Sequence, residues 1–305
     1  MPSGPPKSLR GRRFLNMSLF NYLCCPTCKK SLAKKGDSLS CGSCKRSYEI
    51  RSGIPILIDF SSIPEHLGKQ IRYFEHEDEQ RGDWALEPWQ ARYVKKFLDT
   101  AKPKPGGLII DNATGSGYMA IELARRGYRV IATDITMREL IRLQKHVIKL
   151  ALSKKISIVC CTSESLPVVS QVADGLVANA ILEHLPKEDE AIAEITRVTK
   201  RGACVMVAMP IAFRYLLPLF WPINWLHDRR IGHLRRYTRS DIVTKFHHFQ
   251  ELTTYYSGGM VKVLCSIAYL LTKYKPFLSF GERVDRMTES LPYGSSNVVS
   301  ILKKT

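Results

Sequence analysis

The sequence predicts an α/β chain: a doubly wound, largely parallel sheet preceded by a small cysteine-bound unit. Three observations carry this. From residue 107 onward, short apolar runs alternate with longer segments whose apolar residues recur at helical spacing. The first strand-to-helix turn is glycine-rich, Gly115-Ser116-Gly117. Five of the nine cysteines lie between Cys24 and Cys44.

A length of 305 residues suits one large and one small domain. Hydrophobic residues make up 45%, enough for a core, which excludes a wholly disordered chain. No apolar run reaches the roughly 20 residues of a spanning helix. Arg12-Arg13-Phe14-Leu15 faintly resembles a twin-arginine export signal. No apolar stretch or cleavage site follows it, so the expectation is a cytoplasmic protein. Residues 1–16, basic and Pro-rich, are expected to be a disordered tail. The net charge of +18 sits at the ends. Residues 1–60 hold 11 Lys/Arg against 3 acids and residues 211–305 hold 14 against 6, whereas 61–210 are close to neutral. Such ends suit an anionic partner, whether RNA, phospholipid headgroups or an acidic substrate.

Cys25-Pro26-Thr27-Cys28 and Cys41-Gly42-Ser43-Cys44 are separated by twelve residues. Each pair forms a turn that aims two thiolates at one point. Two such knuckles supply the four soft tetrahedral ligands that Zn²⁺ prefers, with no open position, so the metal is structural. Lys29, Lys30, Lys45 and Arg46 offset part of the tetrathiolate charge. Cys24 adjoins the first ligand, but Cys25 has the CxxC spacing. Cys160, Cys161, Cys204 and Cys265 fall in apolar segments and read as small buried hydrophobes.

In the larger part, Leu108-Ile109-Ile110 forms a strand ending at Asp111, and a helix runs over Tyr118–Arg126. Arg129–Thr133 is a second strand ending at Asp134, and a helix covers about 136–152. Residues 156–159 and 174–178 are further strands, 188–199 a helix, and 203–209 a fifth strand. Asp134, nineteen residues after Gly115, is placed for a ribose diol. Gly115-x-Gly117-x-x-Ala120 also fits a dinucleotide fingerprint, so an NAD enzyme is the alternative. Asp111 argues against it, because a carboxylate there repels a pyrophosphate and suits a cationic amino-acid group.

Two resemblances follow from these motifs. Leu23–Cys28, Leu39–Cys44 and Tyr48–Leu57 together resemble the zinc-ribbon module that activates several RNA and protein methyltransferases and is also found fused to methyltransferases. Asp111–Gly117, Ser163-Glu164-Ser165-Leu166-Pro167, Asp174–Leu185 and Glu194–Gly202 resemble class I S-adenosylmethionine-dependent methyltransferases of the type 11 kind, over residues 108–210. The resemblance implies a seven-stranded sheet with an antiparallel terminal strand. It implies that Asp111, Gly115 and Gly117 hold the methionine part of the cofactor, with Ala113 in the same loop where the family often has Gly. Asp134 would bind the ribose, Ile135 pack on adenine, Ser163 and Glu164 sit beside the adenine amine, and Asn179 line the cleft. Tyr73 and Phe74 would belong to an N-terminal flap. The implied organisation is a ribbon over 17–60, a helical linker and flap over 61–105, and a catalytic domain over 106–305.

Beyond Pro210 the chain departs from a minimal domain. Residues 211–226 are aromatic and apolar, interrupted by Pro218 and Pro222. Gly232-His233-Leu234-Arg235-Arg236-Tyr237-Thr238 resembles a segment recurring in small-molecule and lipid methyltransferases. Residues 251–256 and 298–302 are expected strands, with an apolar helix over 260–271 between them. The insertions at about 211–237 and 257–296 are expected to cover the acceptor. His184 and His233 are the candidate bases. The function expected is methyl transfer to a small-molecule or lipid-like acceptor, with peripheral association at an anionic membrane surface as a further expectation. The alternatives are an RNA methyltransferase, in which the ribbon and basic ends grip phosphates, and a non-catalytic interaction protein.

Overall fold

The computed structural model describes residues 17–58, 60, 63–79 and 86–305. The basic tail over 1–16 lies outside them. After a short helix α1 (Met17–Phe20), four antiparallel strands follow in order: β1 (Leu32–Lys35), β2 (Ser38–Cys41), β3 (Ser47–Arg51) and β4 (Ile54–Pro55). Leu39 and Tyr48 alternate inward with polar neighbours outward, as a half-covered sheet requires. Two helices lead to the main sheet, α2 (Glu65–Glu79) and α3 (Pro88–Ala101).

The main sheet is built from β5 (Leu108–Asn112), α4 (Tyr118–Arg125), β6 (Arg129–Asp134), α5 (Met137–Lys149), β7 (Ile156–Cys160), β8 (Ala173–Asn179), α6 (Glu188–Val198) and β9 (Thr199–Pro210). It continues with α7 (Trp221–Ile231), α8 (Arg239–Lys245), β10 (Phe249–Ser257), α9 (Met260–Thr272), α10 (Pro276–Met287) and β11 (Asn297–Lys304). The seven strands lie in the order β10-β11-β9-β8-β5-β6-β7. β11 runs antiparallel to both neighbours, and β5 to β9 pair in parallel. β5 and β7 are buried along their whole length, as parallel strands covered on both faces are. The order reverses beside β5, whose neighbours are β6 and β8, and this opens a crevice at their carboxyl ends.

The ribbon closes the β7 edge. Ile56 bridges Cys160 in parallel, and Leu57 N–H donates to Cys160 O at 2.8 Å. An unpaired edge is thereby covered by the chain's own N-terminal unit. Leu19, Leu23, Leu39, Tyr48 and Leu57 of the ribbon side share one core with Leu108, Val159, Leu166 and Leu176 of the main sheet.

One expectation is corrected. Pro222 does not break the run 211–226. It stands in the first turn of α7, where its missing N–H leaves no bond unmade, and Gly232 (φ 78°) ends that helix. The insertion over 257–296 is a helical hairpin, α9 packed on α10. Gly281 permits the close approach, since a Cβ there would lie 2.9 Å from that of Cys265. A buried ion cluster ties the hairpin to α3: Arg92 meets Asp285 at 2.8 Å and Glu282 at 3.3 Å, and Lys262 meets Glu282 at 2.9 Å.

Candidate active site

The crevice holds a cavity of about 580 Å³ lined by the ends of β5, β6 and β8, the loops after these and after β7, and α2 and α3. Ala113, Gly115, Asp134, Ile135, Ser163, Glu164, Asn179 and His184 all line it, as does Asp111. His233 does not. Neither insertion contributes a lining residue among the described ones. The amphipathic α2 lines the cavity with Leu67, Gln70, Ile71 and Phe74, and Trp89 of α3 stands beside them.

The loop after β5 needs left-handed backbone. Gly115 has φ 49° with open space where a Cβ would stand, and Ala113 adopts φ 57°, which makes it a strained substitute for glycine. Gly117 (φ 77°) has a second reason: a Cβ there would come within 2.2 Å of Leu143 Cδ1. Its part is therefore to let the loop approach α5.

Asp111 is buried and accepts from Ala120 N–H at 3.0 Å and from the Thr114 hydroxyl, both on Oδ2. Burial pushes its carboxyl up to about 6, with Asp134 adding to the rise. No ion pair to Asp111 occurs among the described residues. Asp134 accepts from Gly115 N–H and Thr136 N–H, each at 2.9 Å, on separate oxygens. Burial raises its carboxyl too, against the pull of those backbone bonds. Each oxygen keeps a further acceptor position for a hydroxyl. Burial likewise raises Glu164, whose Oε2 is buried without a hydrogen-bond partner. The Ser163 hydroxyl donates to Asn112 Oδ1 at 3.0 Å and so tethers its loop to β5. Asn179 donates to the Tyr118 hydroxyl at 2.7 Å. These groups fit S-adenosylmethionine: an uncompensated anion for an ammonium, a carboxylate for a diol, and an orphaned acceptor for an amine.

His184 lies on the wall with Nδ1 2.9 Å from Gln70 Nε2, and Phe74 meets it edge-on at 5.7 Å. Burial, with His233 and His66 nearby, pulls its pKa down to about 3. His233 sits behind it. Its Nδ1 faces Asp228 Oδ1 at 2.8 Å, and Arg236 grips both oxygens of that aspartate. Glu183, also buried, has its carboxyl pushed up to about 8 by desolvation. Arg235 donates to Leu182 O and Leu185 O, so the segment 232–238 clamps the turn that carries His184. Gln70, Trp89, Tyr118 and Asp228 escaped sequence reasoning. They belong to no motif, and only the fold brings them to this place.

Cys25, Cys28, Cys41 and Cys44 present sulfurs all within 4.8 Å of one another. Sγ–Sγ distances are 3.5 Å for Cys25–Cys44 and 3.4 Å for Cys28–Cys41, near the roughly 3.8 Å edge of a zinc–thiolate tetrahedron. Burial would raise Cys25, but hydrogen bonds led by that of the Tyr48 hydroxyl bring it down to about 6. Cys24 is turned away, its thiol pushed up to about 11 by burial. The donor set fits zinc.

The ribbon leans on the Glu164 loop. Ser165 donates to Pro26 O at 2.8 Å, Cys24 N–H to Pro167 O at 2.9 Å, and Val169 N–H to Tyr22 O at 2.9 Å. Lys29 pairs with Glu194 at 2.7 Å.

Residues 110–207 match the family described as methyltransferase domain, and residues 18–53 the one described as Trm112p-like protein. The chain is 28% identical over 132 residues to dimethylglycine N-methyltransferase of Parasynechococcus marenigrum, covering 43% of this chain and 47% of that protein. It is 31% identical over 102 residues to demethylmenaquinone methyltransferase of Thermobifida fusca, covering 33% and 43%. It thus spans about half the length of these curated relatives. Among solved structures, geranyl diphosphate C-methyltransferase from Streptomyces coelicolor A3(2), in complex with Mg²⁺, geranyl diphosphate and S-adenosylhomocysteine, shares the fold. Its TM-score is 0.60 at 12% identity, covering 80% of this chain and 99% of that one. The chain therefore carries a methyltransferase domain of the S-adenosylmethionine-dependent type behind a Trm112p-like zinc ribbon.

Proposed function

We propose that this chain transfers a methyl group from S-adenosylmethionine to a small, amphiphilic acceptor, working at an anionic membrane surface. The observation that carries the methyltransferase reading is the pairing of Asp111, a buried anion without a cation, with Asp134 on the wall of one cavity. Asp111 and the loop at Gly115 hold the amino-acid end, Asp134 the ribose, and Ile135 with Glu164 the adenine. The cofactor supplies an already activated methyl group, so the protein's contribution is alignment and exclusion of water. Leu67, Ile71, Phe74, Trp89, Ile181 and Leu185 supply a largely apolar acceptor wall, which supports an acceptor with an apolar body. The membrane part rests on α7 and α9, which leave the carboxyl ends of β9 and β10 with large apolar side chains exposed.

Calorimetry tests the first part. S-adenosylhomocysteine is expected to bind and NAD is not, and Asp134→Ala is expected to weaken binding by about 1–3 kcal/mol, the cost of unpaired buried polar groups. NAD binding with no response to S-adenosylhomocysteine sinks the reading.

A further inference from the structure

We infer that Gln70 locks His184 into one tautomer, and that His184 consequently serves the acceptor as a fixed Nε2–H hydrogen-bond donor and not as a base. The inference rests on the methyl-transfer reading above and adds the chemistry of the acceptor.

Gln70 Nε2 lies 2.9 Å from Gly232 O and 3.4 Å from His184 O. Carbonyl oxygens only accept, so the end of the Gln70 amide that faces them is its NH₂ group. That same nitrogen lies 2.9 Å from His184 Nδ1 and 3.0 Å from His66 Nε2. An amide NH₂ offers no lone pair, so a ring nitrogen at this distance carries no proton. The single proton of neutral His184 is therefore on Nε2. Charging the ring would set an N–H against an N–H. Burial disfavours the cation most, and His233 and His66 of α2 act in the same sense, while the Gly232 carbonyl and Asp228 oppose. Glu183, next in sequence, is itself pushed toward its neutral form.

Among the described residues no side chain or backbone group pairs with His184 Nε2, and that atom is not sealed from solvent. A cavity wall that is apolar around one unpaired donor fits an acceptor oxygen. Because this donor takes up no proton, His184 suits an acceptor that is nucleophilic unaided. The class that fits is an ionisable phenol or enol, whose proton has already gone to water. The electron pair of its oxygen, or of the conjugated carbon, forms the bond to the methyl carbon. The carbon–sulfur bond breaks with its pair going to sulfur, and a carbon-methylated product then loses its ring proton to water. Gln70 is a positioning residue in this scheme.

The test uses the full chain bound to S-adenosylhomocysteine, with ¹⁵N-labelled histidine followed by NMR. His184 is expected as the Nε2–H tautomer with no titration across the neutral range, where an ordinary histidine changes charge. Gln70→Glu places a carboxylate against Nδ1 and is expected to move that proton to Nδ1 and bring titration back. 4-Nitrophenol serves as the acceptor probe. It is expected to bind as its coloured phenolate, to shift the Nε2–H resonance, and to bind about tenfold more weakly in Gln70→Glu, the loss of one good hydrogen bond. A wild-type His184 that titrates near neutrality, or carries its proton on Nδ1, overturns the proposal. So does a resonance unmoved by 4-nitrophenol up to its solubility limit. Failure of the wild-type chain to bind S-adenosylhomocysteine instead defeats the methyltransferase reading itself.

Discussion

Asp111 shows how burial at one residue turns into a property of ligand binding. Its carboxyl stands at about 6 instead of 3.8 because desolvation favours the neutral form. In the free chain this shift works against folding as pH rises from 3.8 toward 6, since the unfolded carboxyl ionises more readily. A cationic ligand reverses it by favouring the carboxylate. Binding of S-adenosylhomocysteine should therefore expel a proton below about pH 6, and affinity should fall by up to about tenfold per pH unit there. Calorimetry in buffers of different ionisation enthalpy reads the proton directly, and Asp111→Asn should remove the dependence. A pH-independent affinity down to pH 5 would refute the assignment of Asp111 to the ammonium group. The type and position of this residue were legible from its place at the end of a strand before a glycine loop. Its displaced pKa was not, because that depends on what the fold packs around it.

At the scale of elements, the ribbon and the cofactor loop form one mechanical unit. The backbone bonds from Cys24 to Pro167 and from Val169 to Tyr22 join the first cysteine knuckle to the segment holding Glu164. A four-thiolate zinc unit loses its fold with its metal. Zinc-free protein, or Cys41→Ser, should therefore lose the ribbon's structure and also bind S-adenosylhomocysteine several-fold more weakly, although no ribbon residue lines the cavity. Elemental analysis beside calorimetry checks both. Undiminished affinity in metal-free protein would show that the loop stands without the ribbon. The two CxxC pairs announced a candidate metal site from sequence alone, since four thiolates at that spacing have little other use. Their docking on β7 was illegible, because β4 is two residues long and the edge is met through a single bridge at Ile56, just beyond it.

The whole molecule carries an apolar surface that its own packing leaves uncovered. On α9 only Cys265 is buried, while Leu264, Ile267, Leu270 and Leu271 are exposed, Leu271 by 81%. On α7, Trp221, Ile223, Trp225 and Leu226 are exposed, with Leu219 just before them. No acid occurs over 211–227 or 252–281, and Arg229, Arg230, Lys273 and Lys275 border the apolar blocks. Apolar faces edged by cations suit the headgroup layer, where each basic residue contributes about 1 kcal/mol toward anionic lipid. No helix among the described residues is long and apolar enough to cross a membrane. Anionic vesicles should therefore co-sediment the protein and neutral ones retain less. Trp221→Ala/Trp225→Ala and Leu270→Ser/Leu271→Ser should each weaken that binding and leave affinity for S-adenosylhomocysteine intact. Tight binding to total RNA without affinity for either vesicle would favour an RNA acceptor instead.

The sequence by itself determined the parts that local chemistry dictates. Apolar periodicity marked the alternating strands and helices, glycines marked the left-handed loop after β5, and cysteine spacing marked the metal knuckles. Each is a short-range signal, because the residues that act together lie within one turn or one strand end. The tertiary structure alone decided which residues meet on the cavity wall. Gln70 meets His184 across 114 positions and Gly232 across 162, and Arg92 meets Asp285 across 193. It also decided that His233 stands behind the cavity and that the insertions turn apolar faces outward. Contacts so distant along the chain leave no spacing to read, and they exist only once burial of the shared core has brought the elements together.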